Sequence, residues 1–212
     1  MMGNPWWLLV SGMALCATTA LAEEVRLTPN LTELTLTLHG QTVTIARNPD
    51  LQAVLTGDFS RTSRACPPFC IQPVSAAPGV ATAGELELLA FLQDHVEPGT
   101  GLLIDARLPE WFVGGTIPGA VNVPFATLDA ANPYRRDILL ALGAIDQAGA
   151  LEFSNALQIM VFCNGPWSDQ STRMVTFLIG AGYPADKIAW YRGGMQDWLL
   201  LGLTTTVPEG SG

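Results

Sequence analysis

An α/β fold is predicted, built as a doubly wound parallel sheet with helices on both faces and preceded by a small β-rich extension. Three observations predict it. Short apolar runs alternate with amphipathic helical patterns from residue 85 to residue 201, the order that lays crossover helices over a parallel sheet. The runs themselves lack polar alternation, as strands covered on both faces do. Ahead of them, residues 33–45 alternate apolar and polar side chains around a two-residue turn, the pattern of a hairpin with one wet face.

The elements follow in order. Leu34, Leu36 and Leu38, then Val43 and Ile45, form the hairpin, with His39-Gly40 as its turn. Asn48-Pro49-Asp50 reads as a helix start, followed by a short helical turn through Leu55. From Cys66 to Gly79, four prolines forbid regular structure of any length. Glu85 to Val96 is an amphipathic helix with Leu86, Leu89 and Phe91-Leu92 on its apolar side, stopped by Glu97-Pro98-Gly99. Leu102-Leu103-Ile104 and Val121-Asn122-Val123-Pro124 are strands. Tyr134 to Leu142 is a helix, Ile159 to Phe162 a strand, Thr172 to Ala181 a helix, Ile188 to Tyr191 a strand and Met195 to Leu201 the last helix. Trp190 and Trp198 belong to the core.

The N-terminus reads as an export signal. Trp6-Trp7-Leu8-Leu9-Val10 opens an apolar stretch running to Ala17, and Ala20-Leu21-Ala22 has cleavage-site spacing, which puts the mature start at Glu23. Met1 to Pro5 carries no Lys or Arg, so an uncleaved anchor is the alternative; lipidation at Cys16 is disfavoured by the bulky Leu15 before it. The predicted boundaries are 1–22 for the signal, 23–79 for the extension with its Cys66-Cys70 loop, 80–207 for the α/β domain and 208–212 for a flexible tail. The expected location is periplasmic or secreted, with no stable membrane span after cleavage.

Composition narrows the function. With 49% apolar and 14% charged residues, the 212-residue chain is a packed globule. Its net charge of −9 and lack of any basic cluster exclude nucleic acid as a partner, since phosphate neutralisation needs Lys and Arg. His39 and His95 are isolated, and two thiols alone are too few ligands, so no metal and no cofactor are expected. Loss of Cys16 with the signal leaves Cys66, Cys70 and Cys163. That odd count suggests one pair and one free thiol, with Cys66 and Cys70 as a feasible pair.

Chemistry concentrates in Ile159-Met160-Val161-Phe162-Cys163-Asn164-Gly165-Pro166-Trp167-Ser168-Asp169-Gln170-Ser171. A strand ends on a cysteine, a turn-rich loop follows and a helix begins. That arrangement places a thiol over backbone N–H groups and the positive end of a helix, a setting that favours the thiolate. Three segments in the same order resemble the rhodanese-like family. They are Ile104-Asp105-Ala106-Arg107 continuing to Gly115-Thr116-Ile117-Pro118-Gly119-Ala120-Val121-Asn122-Val123-Pro124, the Cys163 loop with its helix, and Tyr191-Arg192-Gly193-Gly194-Met195-Gln196-Asp197-Trp198.

The resemblance implies a rhodanese-like doubly wound sheet and a cysteine that carries sulfane sulfur as a persulfide. On it, Cys163 is the sulfur acceptor, and the backbone N–H groups of Asn164 to Gln170 cradle the anion, with Asn164, Gly165, Trp167, Ser168, Asp169, Gln170 and Ser171 around the substrate. Asp105 and Arg107 match the family's Asp-x-Arg pair and read as a supporting structural clamp. Two departures bear on substrate. From Cys163 through Gln170 the loop has eight residues where relatives commonly have six, or seven in phosphatase relatives, and Gln170 stands where an arginine usually opens the helix. Thr116 replaces the usual histidine. With Asp169 alone charged in the loop, phosphoryl chemistry is disfavoured, and Arg173 compensates only if it folds back.

The expected function is an exported sulfurtransferase or persulfide carrier whose partners are a sulfur donor, neutral or protein-bound, and a thiol or protein acceptor. A non-catalytic interaction module of the same fold is the alternative, as is a thiol–disulfide protein using Cys66, Cys70 and Cys163. Cys66-Pro67-Pro68-Phe69-Cys70 reads as a structural staple, or more sharply as a redox partner of Cys163.

Overall fold

The computed structural model describes residues 25–208; the predicted signal, Cys16, the start at Glu23 and all of the tail beyond Pro208 lie outside them. Five parallel strands form the sheet in the order β3-β9-β8-β4-β5: β3 Ala81–Ala83, β9 Ile188–Tyr191, β8 Gln158–Phe162, β4 Gly101–Asp105 and β5 Ala120–Asn122. Between them run α1 Glu85–Phe91, α2 Pro109–Phe112, α3 Arg135–Ala141, α4 Gln170–Gly180 and, at the end, α5 Gly194–Leu200.

Strand alternation divides the core into two layers. Leu103, Met160, Phe162 and Tyr191 face one side, where they pack with Leu88, Leu89 and Leu92 and with Met195 and Trp198 of α5. Ile104, Ile159, Val161, Ile188 and Trp190 face the other, against Leu139 of α3 and Met174, Val175 and Leu178 of α4. Both faces are covered, which is why these strands read as unbroken apolar runs.

The hairpin forms as expected, with β1 Leu34–Leu38 paired antiparallel to β2 Gln41–Ile45. His39 and Gly40 take positive φ at the turn, as a two-residue hairpin connection requires. Leu36, Leu38 and Ile45 are buried in the first core layer beside Trp198, so this part of the extension is a third layer on the domain.

Several elements differ from expectation. Residues 48–55 form turns rather than a helical turn, and a single 3-10 turn follows at Gly57–Ser60. Asn48 and Asp50 instead accept backbone N–H bonds two residues on, the local competition that takes such residues out of helices. Leu86 lies exposed and Leu88 takes the buried place, because Leu88, Leu89 and Leu92 share one helical face and Leu86 points away from it. The helix then continues into a π turn at Leu92–Val96 whose Glu97 N–H reaches back to the Leu92 carbonyl. Strand β3, helix α2 and the hairpin of β6 Ile145–Gln147 with β7 Ala150–Glu152 were not expected. Each is too short for a periodic signal.

Candidate active site

Parallel strands point their carboxyl ends one way, and there this sheet gathers its polar residues. Asp105, Asn122, Cys163 and Arg192 follow or end β4, β5, β8 and β9.

At β4, Asp105 and Arg107 are wholly buried and joined by a fork: Arg107 Nη2 donates to Asp105 Oδ2 at 2.6 Å and Nε to Oδ1 at 2.9 Å. Thr116 Oγ1 donates to the same carboxylate at 2.7 Å, and Arg107 Nη2 also reaches the Gly115 carbonyl at 2.8 Å. Asn122 Nδ2 donates to the carbonyls of Asp105 and Arg107. Every charge here is answered internally, so the pair acts as a clamp on the β4–β5 connection. Thr116 supplies a hydroxyl to that clamp.

Cys163 follows β8 directly and is 2% exposed. Its Sγ lies 2.9 Å from Ser171 Oγ and 3.5 Å from the Ser168 carbonyl oxygen. Trp190 Nε1 donates to the same Ser171 Oγ at 2.9 Å. An indole N–H only donates, so Ser171 accepts from Trp190 and has its own proton free for sulfur. The resulting chain runs Trp190 N–H to Ser171 O–H to Cys163 Sγ, with Trp190 and Ser171 both buried. The ring of N–H donors expected around sulfur is altered here. The long loop folds on itself, Ser168 N–H donating to the Gly165 carbonyl at 3.0 Å, and this turns the Ser168 carbonyl toward Sγ. A thiol satisfies both contacts; an anion keeps only the Ser171 donor.

The loop is held from α5. Met195 N–H donates to the Cys163 carbonyl at 3.0 Å and Gln196 N–H to the Asn164 carbonyl at 2.9 Å. Gly194, at φ +56°, makes this approach possible, since a Cβ there would lie 2.4 Å from the Cys163 oxygen. The Asn164 and Gln170 side chains sit in the loop with buried Oδ1 and Oε1 atoms that have no partner. Asp169 precedes α4 and accepts from Arg173 N–H at 2.9 Å. Arg173 does not fold back; its guanidinium stacks over Phe125, 4.3 Å from the ring centre.

Residues 57–73 of the extension cross this loop, which sequence reasoning missed. Gln72 N–H donates to the Pro166 carbonyl at 2.8 Å, and Thr172 Oγ1 donates to Gln72 Oε1 at 3.1 Å. Arg192 ties down the segment's end through the carbonyls of Gln72 and Pro73. Trp167 Nε1 donates to Gln196 Oε1, and Gln196 Nε2 donates to the Phe59 carbonyl. Phe69 meets the Trp167 ring edge-on at 5.6 Å, and the Arg64 guanidinium carbon lies over it, 3.6 Å from its centre. Trp167 is thus the platform on which the covering segment rests. Cys66 and Cys70 are bonded to each other, which leaves Cys163 the free thiol among the described residues.

Next to Phe59, a cavity of about 290 Å³ opens against Arg107, Glu110, Trp111 and Met195. A larger recess of about 530 Å³, around Arg47, Val54 and Leu199, contains no nucleophile and lies apart from this chemistry. Among the described residues, no group of three His, Cys, Asp or Glu side chains is placed to hold a metal, and no helix is long and apolar enough to cross a membrane.

A parallel α/β sheet with a cysteine loop between strand and helix defines a class of protein, and the sequence profile of the Rhodanese-like domain matches residues 88–201. That is more than half the chain, and the chain belongs to the rhodanese-like family. Similar solved structures include a rhodanese-related protein from Thermoplasma volcanium, 18% identical over 60% of this chain and 99% of that one, with a TM-score of 0.41. A human single-domain sulfurtransferase is 22% identical over 57% of this chain and 96% of its own, at 0.40. Thiosulfate sulfurtransferase from Pseudomonas aeruginosa is 22% identical over 63% of this chain but only 21% of its own length, at 0.41. No curated protein is significantly similar.

Proposed function

We propose that this protein is an exported sulfurtransferase or persulfide carrier, acting outside the cytoplasm, in which Cys163 accepts sulfane sulfur. The observation that carries the reading is the Trp190–Ser171–Cys163 chain. It holds a hydroxyl donor on the one free thiol among the described residues, where it stabilises a thiolate nucleophile and then the persulfide anion. The thiolate attacks the outer sulfur of a donor, the donor's S–S bond breaks, and its electron pair leaves with the rest of the donor. The outer sulfur then passes to a thiol or protein acceptor. Because Cys163 is almost fully buried, a donor reaches it only when its loop, with the extension segment packed on Trp167, moves and the Ser168 carbonyl turns aside.

That same cover favours a second reading, an interaction module that has kept the fold without turnover. The test is cyanide-labile sulfur on the full chain, followed by intact mass. Loading that disappears in Cys163→Ser supports transfer. No loading from thiosulfate, polysulfide or cysteine persulfide, with partner binding intact in Cys163→Ser, establishes the module instead. Fractionation and the mass of the secreted chain check export and removal of residues 1–22.

A further inference from the structure

The loop from Cys163 to Ser171 contains no Lys, Arg or His, and its one charged side chain is the acid Asp169. Read alone, it is a poor place for an anion. The fold changes this by laying Arg64, 99 positions from Cys163 in a chain numbered through, onto the loop's own tryptophan.

Four observations meet at Arg64. Its guanidinium carbon lies over the Trp167 ring, 3.6 Å from its centre, and 5.9 Å from that of Phe69, a cation–π contact that places the charge on the loop. Its Nη2 donates to the Asp58 carbonyl, which orients the side chain from behind. Its Nε is buried and has no hydrogen-bond partner, a donor left in want of an acceptor. The segment bearing it is closed by the Cys66–Cys70 disulfide immediately beyond and anchored on the Cys163 loop by the Gln72 N–H bond to Pro166. The groups that face Arg64 electrostatically are Asp58 and Arg61, and the Asp58–Arg61 pair is itself closed at 3.5 Å.

We propose that Arg64 is the anion-recognition residue of the Cys163 site, supplied by the extension in place of a cation in the loop. Resting on the sulfur-acceptor reading of Cys163, it selects donors whose sulfane sulfur is joined to an anionic leaving group, such as a thiosulfonate. The step balances as Cys163–S⁻ plus R–SO2–S⁻ giving Cys163–S–S⁻ plus R–SO2⁻. The new bond joins Sγ to the outer sulfur, the bond to the sulfonyl sulfur breaks, and its electron pair leaves on the sulfinate that Arg64 holds. Cysteine sulfur is oxidised to the persulfide level and the sulfonyl group is reduced to sulfinate.

The test separates this role from sulfur transfer itself. Full-length protein is alkylated with iodoacetate and, in parallel, with iodoacetamide, two reagents of nearly equal size that differ in charge, and the Cys163 peptide is quantified by mass spectrometry. In Arg64→Gln the iodoacetate-to-iodoacetamide rate ratio is expected to fall about tenfold, with Arg64→Lys retaining part of it. Dividing by the neutral reagent's rate removes any change in how far the covering segment opens or how well the variant folds. An unchanged ratio overturns the proposal, as does a folded wild-type Cys163 that neither reagent labels. Loading with benzenethiosulfonate then reports on the wider reading: a fallen ratio in a protein that no donor loads keeps Arg64 as an anion site and removes persulfide chemistry.

Discussion

At the carboxyl end of β4, a carboxylate and a guanidinium are buried together and satisfied by neighbours within eleven residues; at the end of the adjacent β8, a thiol is buried in a loop without any cation. The first site is complete within one stretch of sequence, its carboxylate taking the Arg107 fork and the Thr116 hydroxyl. In the second, Ser168 and Ser171 of the loop meet the sulfur, and the loop is then finished from elsewhere: Trp190 from β9, Gly194 and Gln196 from α5, and Arg64, Phe69 and Gln72 from the extension. The clamp needs nothing from outside its stretch, whereas the cysteine loop depends on distant segments to hold its shape and to cover it.

The comparison is broken most severely at β4. Asp105→Ala strands Arg107 in the interior without its carboxylate, and the fold is expected to lose about 3–5 kcal/mol, read by urea denaturation. A loss below about 1 kcal/mol shows that water reaches the clamp and that it is not the closed unit described above. Smaller is the double change Cys66→Ser with Cys70→Ser. Closing so short a loop is worth about 2 kcal/mol, and its release is expected to speed iodoacetamide labelling of Cys163 several-fold by loosening Phe69 and Arg64 from Trp167. Labelling at the wild-type rate assigns the cover to Gln72 and Arg192 alone.

Ser171→Ala removes the donor on Sγ and leaves the Trp190 N–H buried and unpaired, a cost of about 1–3 kcal/mol. Its alkylation rate at neutral pH is expected to drop while Trp190→Phe shows a weaker drop, a pairing that kinetics on both variants will check. Smallest is Asp197→Asn on α5. Burial, then the nearby Glu85 carboxylate, hold the Asp197 carboxyl above its usual range. A carboxyl raised on folding gives stability at acid pH that is lost as pH climbs through its folded value. Asp197 is half exposed and screened, so the gain in Asp197→Asn at pH 7 over wild type is about 0.5 kcal/mol or less. Thermal unfolding at pH 4 and pH 7 will show it, and a variant less stable than wild type at pH 7 contradicts this sign.

Much of the fold was legible because its signals are local. Ile159 to Phe162 and Ile188 to Tyr191 are unbroken apolar runs, and both are central strands. Cys163 at a strand end and Ser171 at a helix start were visible for the same reason. Residues 48–55 misled because Asn48 and Asp50 start turns as readily as helices, and side-chain bonding to nearby N–H groups decided for turns. Leu86 misled because apolar residues stand on both sides of α1, and the core took the face of Leu88, Leu89 and Leu92.

The site's cover had no such signal. Thr172 and Gln72 bond across 100 positions, and nothing in Phe59, Arg64 or Phe69 taken singly marks it as a partner of Trp167. Composition and periodicity by themselves determined the layered sheet, the place of the cysteine and the absence of positive charge from its loop, since each depends on neighbours in the chain. Only the tertiary structure decided that the loop's sulfur faces Ser171 and that its missing cation comes from the extension, because those depend on which distant surfaces bury one another.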